Sequence, residues 1–324
     1  MIINKHTRRN RRITKMVIKI LSITVTTLFI FIGGESTGAK IDQVLQRQIE
    51  TSVENFHGDV GIYVRHLSKN ITAGINENDL FPTASMIKVP ILVKIFDKIE
   101  KGELTIESRV IYYEDSINYP WKGDDAISRF KDGEDISIGK LMAHMITFSD
   151  NHAGIWLQEL AGSGTAINEW LNQEGFCSTR VNSRTPGRED DYEQYGWGQT
   201  TPREMAELLV MIREGRAVSK RASDDMYRYL TRIYWDGNAL SQIPPTIQVA
   251  SKQGALDQSR SEVLLVNAPH GDYVFCIITK NQKDTSWSIS NEGSVLIRNV
   301  SNLLWNYFEP DFGWKQEIGV EEYW

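Results

Sequence analysis

The chain has 324 residues, of which 41% are hydrophobic and 24% are charged, and its formal net charge is −6. These globular proportions exclude a disordered or fibrous chain, and the only two cysteines, Cys177 and Cys276, exclude a disulfide framework or a cysteine-rich zinc site. Residues 1–39 hold seven Lys or Arg and one acid, so the other residues carry −12, a poor charge for binding the phosphate backbone of a nucleic acid.

The first 39 residues predict a secretory signal peptide. Basic residues precede an apolar run over 20–32, which is shorter than the roughly 20 residues that span a bilayer. Small residues over 37–39 resemble a signal-peptidase site. We therefore expect an exported protein, periplasmic or extracellular. A retained N-terminal membrane anchor is the alternative.

The mature chain opens with a predicted helix and a β-hairpin. Apolar residues recur at helical spacing over 41–53 and then alternate over 60–64 and 71–75, on either side of a short turn. The helical period returns at Ala84 and lasts to about Ile99.

The middle of the chain is predicted to be helical with polar connections. A capping box begins one helix at Thr201, with Pro202 in the first helical position, and Gly215 ends that helix. Residues 182–200 are polar and show no period, and a loop of that length inside a compact domain is usually functional.

The last third of the chain predicts three strands and a helix, over 247–251, 263–266, 273–280 and 295–308. The simplest packing is an α+β fold in which the five strands form one antiparallel sheet flanked by the N- and C-terminal helices. The predicted domains are a discontinuous α/β lobe, 40–83 and 236–324, and an inserted all-helical lobe, 84–235. Because clefts form between lobes, residues at the two junctions are candidates for a site.

A Ser-x-x-Lys segment, Ser85 to Lys88, lies at the start of the inserted helical part. Residues three apart share a helix face, and the helix N-terminus favours a nascent alkoxide. A nearby lysine lowers the pKa of a hydroxyl or accepts its proton. Taken alone, the segment is more typical of a capping serine and a solvated lysine, because chance matches to this spacing are common.

Two further motifs contain polar groups suited to a cleft. The hydroxyl of Ser149 and the amide of Asn151 can relay a proton and hold a substrate amide, although this Ser-Asp-Asn segment alone is typical of a helix cap. Lys252 can attract an anionic substrate, and Gly254 lets a ligand approach the backbone closely, although a strand-edge lysine and a turn glycine are common.

Together and in this order, the three motifs resemble the signature set of the class A β-lactamases, a family of penicillin-recognising serine enzymes. The segments that carry the resemblance are Phe81-Pro82-Thr83-Ala84-Ser85-Met86-Ile87-Lys88-Val89-Pro90, Met145-Ile146-Thr147-Phe148-Ser149-Asp150-Asn151-His152-Ala153 and Thr200-Thr201-Pro202-Arg203-Glu204-Met205-Ala206. The likeness runs from about residue 41 to 308. It implies the lobed fold described above, a small-molecule β-lactam or peptidoglycan-peptide substrate, and a monomer.

The resemblance also implies a role for each motif residue. Ser85 would be the acylated nucleophile, and Lys88 would be its base or would tune its pKa. Ser149 would pass a proton to the leaving nitrogen, Asn151 would hold the substrate side-chain amide, and Lys252 would attract the substrate carboxylate.

Four more residues would complete the substrate site. The backbone N–H groups of Ser85 and Ala255 would form the oxyanion hole, and Arg260 would help to bind the substrate carboxylate. Gly254 would lie against the substrate. Gln253 departs from the family, which has Thr or Ser there; its amide can still donate a hydrogen bond.

The second departure concerns deacylation. The family has a glutamate base in an omega loop, and the loop here would cover 180–200 with Thr185 at the glutamate position. A threonine is no general base at neutral pH. A carboxylate of this acidic loop could replace it: Glu189, which we name, or Glu193, with Asp190 and Asp191 as other candidates. A general base contributes typically 10²–10⁴-fold, so without one the acyl-enzyme would be long-lived.

Three functions therefore follow as hypotheses. The chain is a serine β-lactamase, a related peptidase or esterase acting on D-Ala-D-Ala-type substrates, or a binder or sensor that β-lactams acylate and that deacylates slowly. None of the six histidines forms a ligand cluster with its neighbours, so neither a metal nor a cofactor is expected.

Overall fold

The computed structural model describes residues 39–113 and 130–317. Its strands are β1 Lys40–Ile41, β2 Asp59–His66, β3 Ile71–Ile75, β4 Phe81–Pro82, β5 Arg109–Ile111, β6 Asp135–Ser137, β7 Arg180–Val181, β8 Gly198–Thr200, β9 Val249–Leu256, β10 Ser259–Val266 and β11 Tyr273–Lys280. Its α-helices are α1 Gln43–Val53, α2 Lys88–Glu100, α3 Ile138–Thr147, α4 Asn151–Leu160, α5 Ser163–Gln173, α6 Glu189–Tyr195, α7 Pro202–Arg213, α8 Lys220–Leu230 and α9 Glu292–Phe308. Two short 3₁₀ helices are Ala84–Ile87 and Ala239–Gln242.

The main sheet has the strand order β1-β3-β2-β11-β10-β9. The five longer strands pair antiparallel, which confirms the predicted α+β fold and its five-stranded sheet. The two-residue strand β1 adds a sixth strand that runs parallel to β3. In the centre of the sheet, Cys276 of β11 lies opposite Tyr63 of β2 and Val263 of β10.

Strand β11 reads as one apolar run because both faces of the sheet are covered. Phe275 and Ile277 pack into a core shared with α1 and α9, while Val274 and Cys276 pack into the larger core that contains α7. Fully burying one such side chain contributes roughly 1.5–3 kcal/mol. The terminal helices therefore cover one face of the sheet, as expected.

The hairpin β9–β10 is longer than the sequence pattern predicts. The apolar stretches 247–251 and 263–266 belong to strands of eight residues each. The polar residues that interrupt the pattern, among them Lys252, Arg260 and Glu262, are buried within these strands. The strands were predicted too short because the prediction follows apolar residues and stops at these buried polar ones.

The segment 182–200, predicted to be a loop, contains a helix and a strand. Helix α6 has no buried residue, so it leaves no apolar period in the sequence. Strand β8 has only three residues and pairs with both β4 and β7.

Helix α7 begins at the predicted capping box, but only half of the box forms. Thr201 Oγ1 accepts a hydrogen bond from the Glu204 backbone N–H at 3.1 Å, and Pro202 is the first helical residue. The Glu204 carboxylate instead accepts backbone hydrogen bonds of 2.6–3.0 Å from residues 177–179. Glu204 therefore fastens the segment before β7 to α7.

The two cysteines are free, as predicted, but only one is buried. Cys276 is fully buried in the sheet, whereas Cys177 is exposed. Because Cys276 lies within an apolar strand pattern, the sequence predicts that both thiols are buried and unpaired. The burial is wrong for Cys177, which lies in the irregular segment between α5 and β7.

Across residues 39–113 and 130–317, no helix is long and apolar enough to cross a membrane. The predicted signal peptide lies outside the described residues. The predicted boundaries of the two lobes stay a prediction.

Candidate active site

The segment that carries Ser85 lies between two strands. Thr83 donates its backbone N–H to the Gly198 carbonyl of β8 at 2.8 Å, and Ala84 takes a left-handed φ of 45°. On the other side, a Cβ on Gly254 of β9 would lie 2.7 Å from the Thr83 carbonyl oxygen. Only glycine lets β9 approach so closely, so Gly254 positions the serine segment as well as flanking the site.

Lys88 connects the first two motifs. Its side chain is fully buried at the start of α2. The ammonium Nζ lies 3.0 Å from Ser85 Oγ, 3.2 Å from Ser149 Oγ and 2.7 Å from Asn151 Oδ1, and it also donates to the Ser149 carbonyl. Such a position lets one nitrogen exchange a proton with either hydroxyl.

Ser149 lies between two lysines. Its backbone has a left-handed φ of 58°, a strained conformation for a residue other than glycine. Its Oγ is 3.2 Å from Lys88 Nζ and 2.9 Å from Lys252 Nζ. The following residue, Asp150, caps α4 by accepting the Ala153 backbone N–H at 2.6 Å, so the segment is a helix cap in addition to its place in the site.

Lys252 is fully buried in β9. Besides Ser149 Oγ, its ammonium contacts the Gln253 backbone carbonyl at 2.9 Å and the Gln253 side-chain carbonyl at 3.1 Å. Burial and the nearby charge of Lys88 lower the pKa of Lys252 well below its usual range, and the charge of Glu262 opposes this shift.

Glu262 is a buried acid that sequence reasoning missed. It lies opposite Gln253 in β10, where it accepts hydrogen bonds of 2.8 Å from the Ser251 hydroxyl and the Ala239 backbone N–H. Burial raises its pKa to about 7. The signal for it was an acid within an apolar strand, at a position where a carboxyl needs specific partners.

The other predicted substrate-binding residues lie along the same hairpin. Ala255 pairs with Arg260 across β9 and β10. Arg260 is buried; its guanidinium donates to the Leu256, Ser259 and Ser286 carbonyls and lies 4.7 Å from the Trp287 ring centre. Backbone bonds therefore hold the guanidinium beside the strand end.

The omega-type loop does not present an acid where the resemblance expects one. Thr185 is buried, and its hydroxyl donates to the Ser183 carbonyl at 3.1 Å. Glu189 is exposed at the start of α6 and accepts the Gly187 backbone N–H at 3.2 Å. Among the described residues, no hydrogen bond joins Glu189 to the motif residues.

An ion pair of Arg188 braces this loop. Arg188 donates to Asn182 Oδ1 at 2.7 Å and to Gln199 Oε1 at 3.0 Å, and it pairs with Asp191 at 2.9 Å. It therefore ties both ends of the loop to its helix α6. No motif in the sequence predicted this ion pair.

Trp197, near the end of the loop, is a further residue that the sequence did not predict. The centre of its ring lies 5.3 Å from Lys88 Nζ, a cation–π distance. Its indole Nε1 donates to Gln158 Oε1 of α4 at 2.7 Å. A lone tryptophan between glycines in a polar loop was the only signal for it.

The arrangement can carry out nucleophilic chemistry through a serine. Ser85, Lys88, Ser149 and Lys252 form one chain of polar atoms, each within 3.2 Å of the next. A proton leaving Ser85 can therefore reach the Ser149 hydroxyl through Lys88. Within residues 39–113 and 130–317, no group of three or more His, Cys, Asp or Glu residues could hold a metal ion.

Comparisons with known proteins show what the chain resembles in sequence. A family model described as "Beta-lactamase enzyme family" matches residues 43–308. Beta-lactamase VEB-1 of Pseudomonas aeruginosa is 23% identical over 305 residues, which cover 91% of this chain and 99% of that protein. A beta-lactamase of Bacteroides uniformis is 24% identical over 240 residues, covering 73% of this chain and 80% of that protein.

Solved structures share the fold. The structure of PBP-A superimposes with a TM-score of 0.73 at 25% identity, covering 84% of this chain and 98% of PBP-A. A beta-lactamase from Sphaerobacter thermophilus gives a TM-score of 0.72 at 22% identity, with 82% and 98% of the two chains covered.

Proposed function

Because the chain belongs to the beta-lactamase enzyme family, we propose that Ser85 is the nucleophile with which this serine hydrolase opens β-lactam rings. The observation that carries the proposal is the pair of lysines on one serine hydroxyl. Ser149 Oγ lies within 3.2 Å of both Lys88 Nζ and Lys252 Nζ, and Lys88 Nζ is also 3.0 Å from Ser85 Oγ.

Acylation needs a proton to move from the serine to the ring nitrogen. Neutral Lys88 takes the proton of Ser85 as Oγ bonds to the lactam carbonyl carbon, and Lys88 passes a proton to Ser149. The C–N bond then breaks, and Ser149 gives its proton to the nitrogen. An ester of Ser85 and an amine result, so atoms and charges balance.

The substrate is held by groups on two sides of the serine. We propose the backbone N–H groups of Ser85 and Ala255 as the oxyanion hole; one donor of this kind is typically worth about 2.7–4 kcal/mol in the transition state. Lys252, with Gln253 and Arg260, would attract the substrate carboxylate. Gly254 would lie beside the substrate, and Asn151 would hold its side-chain amide.

Deacylation distinguishes a second candidate function. Thr185 stands where the resemblance expects a glutamate base, and the exposed Glu189 is the replacement we propose. A structure that resembles this chain, a variant of PBP-A, is described as an acyl-enzyme complex with penicillin-G. An enzyme that is acylated by β-lactams but acts on a peptide or ester, or that only senses β-lactams, is therefore the second candidate.

Intact mass against time tests the proposal. The protein is mixed with excess penicillin, and Ser85→Ala is the control. We expect an added mass equal to penicillin that is absent in the control. Rapid loss of penicillin with a fleeting adduct would favour the β-lactamase, and a lasting adduct the second candidate. No adduct and no loss of penicillin would contradict both.

Export and a monomeric state complete the proposal. The basic and apolar composition of residues 1–39 supports export. The resemblance to the family supports a monomer. Gel filtration of the protein recovered from the growth medium or the periplasm checks both points.

A further inference from the structure

The loop-side face of Lys88 is covered by an aromatic ring. The ring centre of Trp197 lies 5.3 Å from the ammonium Nζ. Gln158 fixes the indole in this place: its side-chain oxygen accepts the indole N–H at 2.7 Å, and its amide donates to the Ser183 carbonyl at 2.7 Å. The indole is therefore held by helix α4, and α4 is in turn fastened to the loop.

The space between the indole, α4 and Lys88 is too small for a methyl group. A Cβ built on Gly154 of α4 would lie 3.0 Å from Trp197 Cη2 and 3.1 Å from Lys88 Cε. Both distances are shorter than ordinary van der Waals contact. A water molecule needs at least about one probe sphere of free volume and two to four polar partners. The close packing of the indole and Lys88 Cε at Gly154 leaves no room for such a water between them.

Hydrolysis of an ester on Ser85 needs a water close to Lys88. Lys88 Nζ is 3.0 Å from Ser85 Oγ, so a water that attacks the ester must approach the same group of atoms. Trp197 of the loop presents to Lys88 a ring with no base. Thr185, at the position where the resemblance expects the base, turns its hydroxyl to the Ser183 carbonyl, and within the described part of the chain the exposed Glu189 makes no hydrogen bond to the motif residues.

We propose that Trp197 is a positioning residue that packs on Lys88 and excludes water from the loop side of the acyl-enzyme, so that the ester of Ser85 is long-lived. The inference rests on the proposed function for the acylation of Ser85, and for release it takes the second candidate, in which the ester lasts. Hydrolysis of the Ser85 ester is then slow for two reasons: the glutamate base is missing, and the Trp197 ring packs on Lys88.

The test separates formation of the ester from its release. The protein and its variants are acylated with penicillin, free penicillin is removed, and the adduct mass is followed with time. For Trp197→Ala we expect release at least ten times faster than in the unchanged protein. Trp197→Phe keeps an aromatic ring over Lys88, so its release should stay within about threefold.

The variant Gln158→Leu keeps the test decisive if Trp197→Ala does not fold. Gln158→Leu keeps the tryptophan but removes the acceptor of its indole N–H, so release should be faster than in the unchanged protein. If Trp197→Ala does not fold, this variant and Trp197→Phe still decide, and unfolding midpoints identify that case. A rise in the release rate with an unchanged acylation rate is an effect that general loosening of the site would not give.

The outcomes separate the two levels of inference. No adduct on the unchanged protein would contradict the proposed function itself. An adduct that forms but is released equally slowly from Trp197→Ala, or equally fast from Trp197→Phe and Trp197→Ala, would overturn the role of the ring. Rapid turnover of penicillin by the unchanged protein would overturn it as well, while leaving Ser85 as the nucleophile.

Discussion

The substitution Glu262→Gln should change how stability depends on pH. Burial raises the pKa of Glu262 from its ordinary value of 4.5 to about 7. The folded protein therefore binds a proton that the unfolded chain has already released between these two values. Stability falls with rising pH in that window, because the unfolded state holds fewer protons.

The size of the effect follows from the two pKa values. At 1.36 kcal/mol for each pKa unit, ionising Glu262 destabilises the folded state by about 3 kcal/mol. This loss is absent below pH 4.5 and complete above about pH 7. Lys252, whose charge favours the ionised acid, is the cation that faces Glu262, and Asp236 is the nearby acid.

Glutamine can replace the protonated acid in shape and hydrogen bonding. The two carboxyl oxygens of Glu262 accept from the Ser251 hydroxyl and the Ala239 backbone N–H. The amide oxygen can keep the bond from Ala239, and the Ser251 hydroxyl can turn to accept from the amide nitrogen. The variant then has no buried charge to ionise.

Urea unfolding of both proteins at pH 4.5 and pH 8 measures the effect. At each pH we compare the free energy of unfolding of Glu262→Gln with that of the unchanged protein. Relative to the unchanged protein, the variant should be about 3 kcal/mol more stable at pH 8 than it is at pH 4.5. Other titrating groups cancel in this difference. The control Ser251→Ala removes a donor that lowers the pKa of Glu262, so that pKa should rise further and the loss of stability with rising pH should be larger than in the unchanged protein. An equal difference at both pH values would refute the reasoning.

Three further predictions concern the site and its supports. Gly254→Ala places a methyl group 2.7 Å from the Thr83 carbonyl oxygen, so we expect a loss of about 1–3 kcal/mol in the free energy of unfolding and slower acylation. Glu204→Gln weakens the bonds to residues 177–179, so the unfolding free energy should fall by about 2 kcal/mol, measured in urea. Ser149→Ala removes the hydroxyl between the two lysines and should slow acylation by about 10²–10⁴-fold, measured by stopped-flow mixing with a chromogenic cephalosporin.

Each of these has an outcome that would contradict it. A fully stable Gly254→Ala would mean that β9 can move away from the serine segment. An unchanged free energy of unfolding in Glu204→Gln would mean that the charge of Glu204 does not stabilise the segment 177–179. Unchanged acylation in Ser149→Ala would remove that hydroxyl from the proton path.

The sequence predicted the fold where apolar residues determine the structure. Strand β11 was predicted from its first residue to its last, because Tyr273–Lys280 is buried on both faces and has no polar interruption until Thr279. In β9 and β10, Lys252 and Glu262 occupy positions inside the sheet, and no apolar pattern could extend through them. The error was largest where the strands contribute polar groups to the site.

The site was predicted through its motifs, and the structure joins them by hydrogen bonds. Ser85, Lys88, Ser149 and Lys252 come from three distant segments, and only the resemblance joined them in the sequence. Trp197 lies outside every motif. Its contact with Lys88 depends on how the loop folds, which a lone tryptophan among polar residues does not reveal.

The two free cysteines differ in their exposure, so a thiol reagent can distinguish them. Cys177 is exposed and lies in the segment that Glu204 fastens to α7, whereas Cys276 is fully buried with a raised thiol pKa. A maleimide dye should therefore attach to Cys177 alone in the native protein, next to the base of the loop. Reaction of Cys276 would then report unfolding of the central sheet, so one reagent could time the motion of the loop and the opening of the core separately.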